Sequence, residues 1–133
     1  MQRCRVLVSG AGIAGLTLAI LLKEKGFEPL VVEREPGLRR EGYMMDFFGT
    51  GWDVAERMGL IDALRAISYP IERMEFVDGA GRPFLSFPID RLRKALSSRY
   101  VYLRRPDLEQ ILFARAMENE VTVRFGSSIE TMQ

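Results

Sequence analysis

The stretch RVLVSGAGIAGLTLAILLKEKGFEPLVVERE, residues Arg5–Glu35, determines the fold class of this chain. A short apolar run is followed by glycines in the spacing GxGxxG, and then by a segment with the length and apolar content of a helix. A second apolar run leads to Glu33. Strand, helix and strand in this order predict a βαβ unit over residues 4–34, with parallel strands and a right-handed crossover. The expected fold class is therefore α/β.

The three glycines of this turn suit the binding of a dinucleotide. Gly10 permits a tight turn, Gly12 lets a pyrophosphate approach the backbone, and Gly15 lets the helix pack close to the strand. The start of the helix supplies free N–H groups and the positive end of its dipole. Glu33 stands where a carboxylate accepts hydrogen bonds from an adenosine ribose, and its charge would repel the 2′-phosphate of NADP. The pattern predicts a Rossmann-type site for NAD or FAD.

Composition and charge exclude several other classes of function. The chain has 133 residues, so it is one domain or part of one, and its net charge of +1 gives no reason to expect nucleic acid as a partner. There is no histidine, which excludes histidine metal sites and catalytic triads; no metal site is expected, and no catalytic residue can be identified.

The compartment is predicted from the cysteine content and the apolar runs. The one cysteine, Cys4, cannot form an internal disulfide and is expected as a small core residue, which favours a reducing, cytoplasmic location. The longest apolar stretch, Ile13–Leu22, is interrupted by Gly15 and Thr17 and is shorter than the roughly 20 residues of a membrane span. No membrane partner and no signal peptide are therefore expected.

The remainder of the chain adds local elements to the βαβ unit. Loop and helices are expected over 36–68, and a β-hairpin over 72–88, where polar and apolar residues alternate on both sides of DGAG. A helix over 106–118 begins with a proline in its first turn, and a strand follows over 121–125. The basic segment DRLRKALSSRYVYLRR is ambiguous. The expected architecture is a partial parallel sheet with a small β-hairpin excursion.

Four segments together resemble the FAD-dependent aromatic-ring hydroxylases, especially the branch that contains the tetracycline-inactivating monooxygenases. They are VLVSGAGIAGLTLAILLKEKGFEPLVVERE, RREGYMMDFFGTGWDVAERMGL, RRPDLEQIL and VTVRFGSSIE. The first segment is shared by many flavoproteins, whereas the other three in this order are more specific. The resemblance covers essentially all of residues 1–133 and implies the N-terminal part of an FAD-binding domain.

The resemblance implies roles for individual residues. The FAD pyrophosphate would be held by the glycine turn and two amides of the helix start, that is by Gly10, Gly12, Ile13, Ala14 and Gly15. Glu33 would bind the adenosine ribose, Arg34 would flank the adenine, and Arg40 would reach toward the cofactor. Asp46 would lie beside the flavin, and Arg105 would contact the ribityl and phosphate region.

The family reaction uses NAD(P)H to reduce FAD and uses O₂ to hydroxylate an aromatic or polyketide-like small molecule. Two other hypotheses for the function remain open: an NAD-binding dehydrogenase fragment, and a non-catalytic dinucleotide-binding module that acts with a partner chain. Two later motifs of the family are absent from this sequence, as are the strands that would flank the first strand on its other side. The first strand is therefore expected to be an exposed sheet edge that favours self-association.

Overall fold

The structure is a computed structural model and describes residues 4–131. Its elements are, in chain order, β1 (Arg5–Ser9), α1 (Ile13–Glu24), β2 (Glu28–Val32), β3 (Met44–Phe48), α2 (Thr50–Arg57), α3 (Ile61–Ala66), β4 (Arg73–Val77), β5 (Pro83–Pro88), α4 (Ile89–Ala95), β6 (Tyr100–Arg104), α5 (Arg105–Glu118) and β7 (Thr122–Arg124). They form two units. The first comprises the chain up to Tyr43 and from Arg105 onward, and the second comprises Met44–Arg104.

A three-stranded parallel sheet in the order β1–β2–β7 forms the first unit together with two helices. The apolar face of α1 packs against β2 and α5, because the glycine turn brings the helix close to the sheet. The side chains buried completely in this core include Leu16, Ala19, Ile20, Val31 and Ala116. The predicted α/β class with a Rossmann-type parallel sheet and a hairpin excursion is confirmed.

The strand β1 lies at the edge of this sheet within residues 4–131, since it pairs only with β2 there. Val8 is buried, whereas Leu7 is 50% exposed although it is a large apolar residue. Cys4, just before β1, is exposed, so its expected place in the core was wrong. A residue beside an edge strand lacks the cover that a central strand would give it.

The second unit contains two antiparallel pairs of strands. β3 pairs with β6, with Met44 opposite Arg104, and β4 pairs with β5 as a hairpin. Its most deeply buried side chains are Trp52, Leu64, Ile89 and Leu103. Where the chain returns to the first unit, the Arg105 amide donates a hydrogen bond of 3.0 Å to the Tyr43 carbonyl.

The structure adds two strands and a helix to the elements expected from the sequence. The range 36–68, predicted as loop and helices, also contains β3, and the ambiguous basic segment forms α4 and β6. β3 and β6 hydrogen-bond to each other across all of the intervening chain, so neither carries a local turn or hairpin signal. Among residues 4–131, no helix combines the length and the apolar character needed to cross a membrane.

Candidate functional site

The turn between β1 and α1 depends on two glycines with different roles. Gly10 follows β1 with a φ of 100°, a conformation that side chains other than glycine rarely adopt. A Cβ on Gly15 would lie 1.9 Å from the Gly10 carbonyl oxygen and 3.5 Å from Val8 Cγ1. Only hydrogen at position 15 therefore allows the first turn of α1 to lie against the end of β1.

The start of α1 is open to an anion. Gly12 is the N-cap residue, no side chain caps the helix, and no acidic residue lies in its first turn. The first-turn amides, including those of Ile13 and Ala14, have no acceptor within the helix. They border a hollow of about 460 Å³ lined by Ser9, Gly10, Gly12, Ile13, Ala14, Gly15 and Arg105. Aligned N–H groups at the positive end of a helix dipole favour a phosphate there.

Glu33 connects the end of β2 to the glycine turn. Its Oε2 accepts a hydrogen bond of 2.8 Å from the Ala11 amide, and its Oε1 accepts one of 2.9 Å from the Glu35 amide. The hydrogen bonds from the Glu35 amide and then the Ala11 amide hold the pKa of Glu33 below its usual value. Burial opposes them, and the Arg39 and Arg34 charges add lowering effects that are weaker than the effect of burial. The side chain is therefore a fixed carboxylate at neutral pH.

In the Glu33→Gln chain, the free energy of unfolding is expected to fall less than in the parent as the pH is lowered into the acid range. Because the folded pKa is lowered, the Glu33 carboxylate contributes stability above its unfolded pKa, near 4.5, and that contribution is lost as the pH falls through the folded pKa. Urea unfolding between about pH 7 and pH 3 measures this. The control is Glu24→Gln, at an exposed glutamate of α1. If the Glu33→Gln and parent profiles stayed parallel, the two backbone hydrogen bonds would not stabilise the ionised form.

Glu33 also borders a cleft of about 200 Å³ beside the glycine turn. The residues lining it are Ala11, Gly12, Glu33, Glu35, Gly37, Leu38, Arg39, Arg105 and Glu109. A shallower hollow adjoins it, lined by Glu35, Pro36, Gly37, Leu38, Arg39, Arg40 and Gln110. The cleft and the open helix start share Gly12 and Arg105, so one elongated ligand can contact both.

The structure brings most of the predicted site residues together in the first unit. Arg105, the first residue of α5, lies at the glycine turn. Arg40 borders the shallower hollow. Arg34 is 74% exposed and pairs with Glu35 at 3.4 Å, and it lines none of these hollows. Asp46 belongs to the second unit, on β3, where its carboxylate accepts a hydrogen bond from the Tyr100 hydroxyl.

Two residues of the site were missed from the sequence. Arg39 lines the cleft with Glu33, but nothing in the pair of adjacent arginines at 39 and 40 tells which one turns toward the site. Glu109 is buried, with 3% of its side chain exposed, and its Oε1 lies 2.9 Å from Arg105 Nη2. As an acidic residue near a helix start, Glu109 gave no sign of burial in the sequence.

A dinucleotide fits the residues present. A Cβ on Gly12 would lie 3.7 Å from Glu109 Oε1 and 4.0 Å from Arg105 Nη2. These are ordinary van der Waals distances, so the space beside Gly12 is not filled by protein atoms. The helix start offers donors for a pyrophosphate, and the fixed carboxylate of Glu33 offers acceptors for ribose hydroxyls, since each oxygen has a second lone pair.

Comparison with known proteins agrees with this geometry. A family described as "FAD binding domain" matches residues 3–133. The FAD-dependent monooxygenase asL4 of Sarocladium schorii is 35% identical over 100% of this chain and 31% of its own length. The flavin-dependent monooxygenase eupH of Phoma sp is 42% identical over 85% of this chain and 27% of its own length.

Solved structures give the same result. The tetracycline destructase Tet(55) superimposes with a TM-score of 0.77 at 29% identity, covering 99% of this chain and 32% of that protein. The tetrameric form of 2-methyl-3-hydroxypyridine-5-carboxylic acid oxygenase does so with a TM-score of 0.79 at 25% identity, over 96% of this chain and 33% of that protein. This chain thus spans about a third of the length of the relatives it matches. These matches confirm the predicted resemblance and the predicted cofactor, FAD: the chain belongs to the FAD binding domain family, which it shares with flavin-dependent monooxygenases.

Proposed function

We propose that this chain is the FAD-binding part of a flavin-dependent monooxygenase that hydroxylates an aromatic or polyketide-like small molecule with NAD(P)H and O₂. FAD would supply the redox chemistry, because the flavin accepts hydride and reacts with O₂. The residues described above would bind and orient the cofactor. No catalytic acid or base is assigned.

The observation that carries the proposal is the joining of an open helix start and a fixed carboxylate by one turn. The amides from Gly12 to Ala14 border the hollow at the helix start, and no acidic residue lies in the first turn of α1. Glu33 is held at the other side of the same turn by the Ala11 amide. A pyrophosphate and a ribose are adjacent in FAD, so both ends of the turn would contact one cofactor.

Roles at the border of the site extend the proposal. Arg105 would contact the phosphate and ribityl region, and Arg39 would approach the ribose end, where it already acts on the Glu33 charge. Arg40 would reach the cofactor from the shallower hollow, and Arg34 would flank the adenine. Asp46 would lie beside the flavin, as the family resemblance implies.

The names of the relatives support the reaction and the substrate class. Two relatives are named FAD- or flavin-dependent monooxygenases, one structural neighbour is named a tetracycline destructase, and another is named as the oxygenase of a hydroxypyridine carboxylic acid. A multi-ring polyketide or a single aromatic ring is accordingly the substrate class proposed here. The proposed location is cytoplasmic, because the one cysteine of the sequence cannot form an internal disulfide, which fits a reducing compartment.

Titration of the chain with FAD, ADP and NAD tests the cofactor. Flavin absorbance and fluorescence report on FAD, and calorimetry reports on all three ligands. FAD is expected to bind more tightly than ADP, which lacks the flavin end, and more tightly than NAD. Tighter binding of NAD than of FAD would favour the hypothesis of an NAD-binding dehydrogenase fragment. Steady oxidation of NAD(P)H would favour an enzyme over the non-catalytic module, although activity of residues 1–133 by themselves is not expected.

We also propose that a second copy of this chain pairs with the β1 edge. Within residues 4–131 that edge has unpaired N–H and C=O groups, and Leu7 on it is half exposed. Leu7→Lys is expected to reduce self-association, because a charged edge residue opposes strand pairing. The control is Leu18→Lys, which changes a similarly exposed leucine (49%) on α1. Light scattering over a concentration series measures the effect, and a monomeric parent or equal behaviour of both variants would refute the edge pairing.

A further inference from the structure

Glu109 is the only charged side chain that is fully buried among residues 4–131. It lies one helical turn after Arg105 on α5, and the two side chains form an ion pair of 2.9 Å. Burying a carboxylate is unfavourable unless a partner compensates its charge. The Arg105 guanidinium, 24% exposed, is that partner, so Glu109 holds it in a defined place.

The stability of α5 does not explain this pair. An acidic residue followed four positions later by a basic one stabilises a helix better than the reverse order, and the order here is the reverse. Arg105 also stands at the first position of α5, where the helix dipole disfavours a cation. The pair therefore requires an explanation outside the helix.

Its position beside Gly12 offers one. A Cβ on Gly12 would lie 3.7 Å from Glu109 Oε1 and 4.0 Å from Arg105 Nη2. Gly12 and Arg105 are the two residues that line both the cleft at Glu33 and the hollow at the helix start. The Arg105 guanidinium thus borders both parts of the proposed site, and the Glu109 carboxylate lies beside it at the cleft.

We propose that Glu109 is a positioning residue for the cofactor phosphates. Its carboxylate holds the Arg105 guanidinium beside Gly12, and the guanidinium in turn compensates the negative charge of that carboxylate near the phosphates. This inference rests on the proposed dinucleotide site and adds a residue that acts there through Arg105. The two side chains should consequently behave as one unit in ligand affinity.

Two substitutions of Glu109 separate the effect of its side-chain length from the effect of its negative charge. Glu109→Asp keeps the charge but shortens the side chain by one methylene, so Arg105 is no longer held. It is expected to weaken ADP binding about 3- to 10-fold, the effect of ordering one mobile side chain on binding. Glu109→Gln removes the charge and keeps an acceptor for the guanidinium. Arg105→Ala leaves a buried, unpaired carboxylate beside the phosphates and is expected to weaken binding more than either change.

The decisive comparison uses the Arg105→Ala background. There Glu109→Asp should have no further effect, because no guanidinium remains to be placed, and Glu109→Gln should strengthen ADP binding at least 3-fold by removing the repulsion. A role limited to folding would give neither the loss from Glu109→Asp in the parent background nor the gain from Glu109→Gln in the Arg105→Ala background. Calorimetry with ADP on the full chain gives the affinities, and circular dichroism checks that each variant is folded.

Two outcomes would overturn the inference: an equal loss from Glu109→Asp with and without Arg105, or no gain from Glu109→Gln in the Arg105→Ala background. Failure of the proposed cofactor would be recognised separately. If the parent chain bound ADP as tightly as FAD, FAD would be refuted as the cofactor. The affinities of the Glu109 and Arg105 variants for ADP would still test the role of Glu109. A parent that does not bind ADP would overturn both.

Discussion

Gly15→Ala is expected to destabilise the folded chain by about 3 kcal/mol, at the upper end of what overpacking costs. The added Cβ would lie 1.9 Å from the Gly10 carbonyl oxygen, which is backbone and cannot rotate away. Relief would require α1 to move from β1, and the buried Leu16, Ala19 and Ile20 would lose contacts with it. Urea unfolding measures the change in the free energy of unfolding.

The matched control for this change is Gly12→Ala. Its Cβ would meet its nearest atoms at 3.7 and 4.0 Å, so the free energy of unfolding should stay within about 1 kcal/mol of the parent. If the Gly15→Ala and Gly12→Ala chains were equally stable, α1 would not be fixed against the end of β1 by the absence of a side chain at position 15.

Gly12→Val is expected to abolish dinucleotide binding while the chain remains folded. The branched side chain would occupy the space in which a pyrophosphate approaches the backbone, and the phosphates could no longer reach the amides of Ile13 and Ala14. Gly12→Ala should give an intermediate loss, about 10- to 100-fold, since crowding by one methyl group costs about 1–3 kcal/mol.

Calorimetry with FAD and ADP measures this loss, and circular dichroism with urea unfolding shows whether the fold is retained. Both ligands should be affected together, because they share the pyrophosphate. Unchanged affinity in a folded Gly12→Val chain would remove the phosphate site from the glycine turn. A loss for FAD with no loss for ADP would move that site toward the flavin end.

The sequence predicted most where the determining contacts are local. Glycine spacing, apolar runs and an acidic strand end lie within Arg5–Glu35, and the structure places the first two strands and the first helix there. β3 and β6 were not predicted, because each strand depends on a partner more than fifty residues away.

Two residues of the site show a second limit. Arg39 and Arg40 are chemically identical neighbours, and only the path of the loop after Glu33 decides that Arg39 lines the cleft. Glu109 lies beside the apolar face that Leu108 and Leu112 form on α5, so its burial depends on how the helix is rotated against the glycine turn. The spacing of apolar residues defines the buried face of a helix only to within about one residue. That is too coarse to decide whether a residue at the edge of this face, such as Glu109, is buried.

The hydrogen bond between the Arg105 amide and the Tyr43 carbonyl has a consequence for how this domain can be altered. The two residues that flank the segment Met44–Arg104 are hydrogen-bonded to each other, with the Arg105 nitrogen 3.0 Å from the Tyr43 oxygen, so the chain leaves the first unit and re-enters it at one place. Insertions and replacements are tolerated best where both ends of a segment lie close together. Exchange of residues 44–104 for the equivalent segment of a relative, with an aspartate kept at the position of Asp46, is therefore expected to leave the glycine turn, Glu33 and the Arg105–Glu109 pair connected as they are.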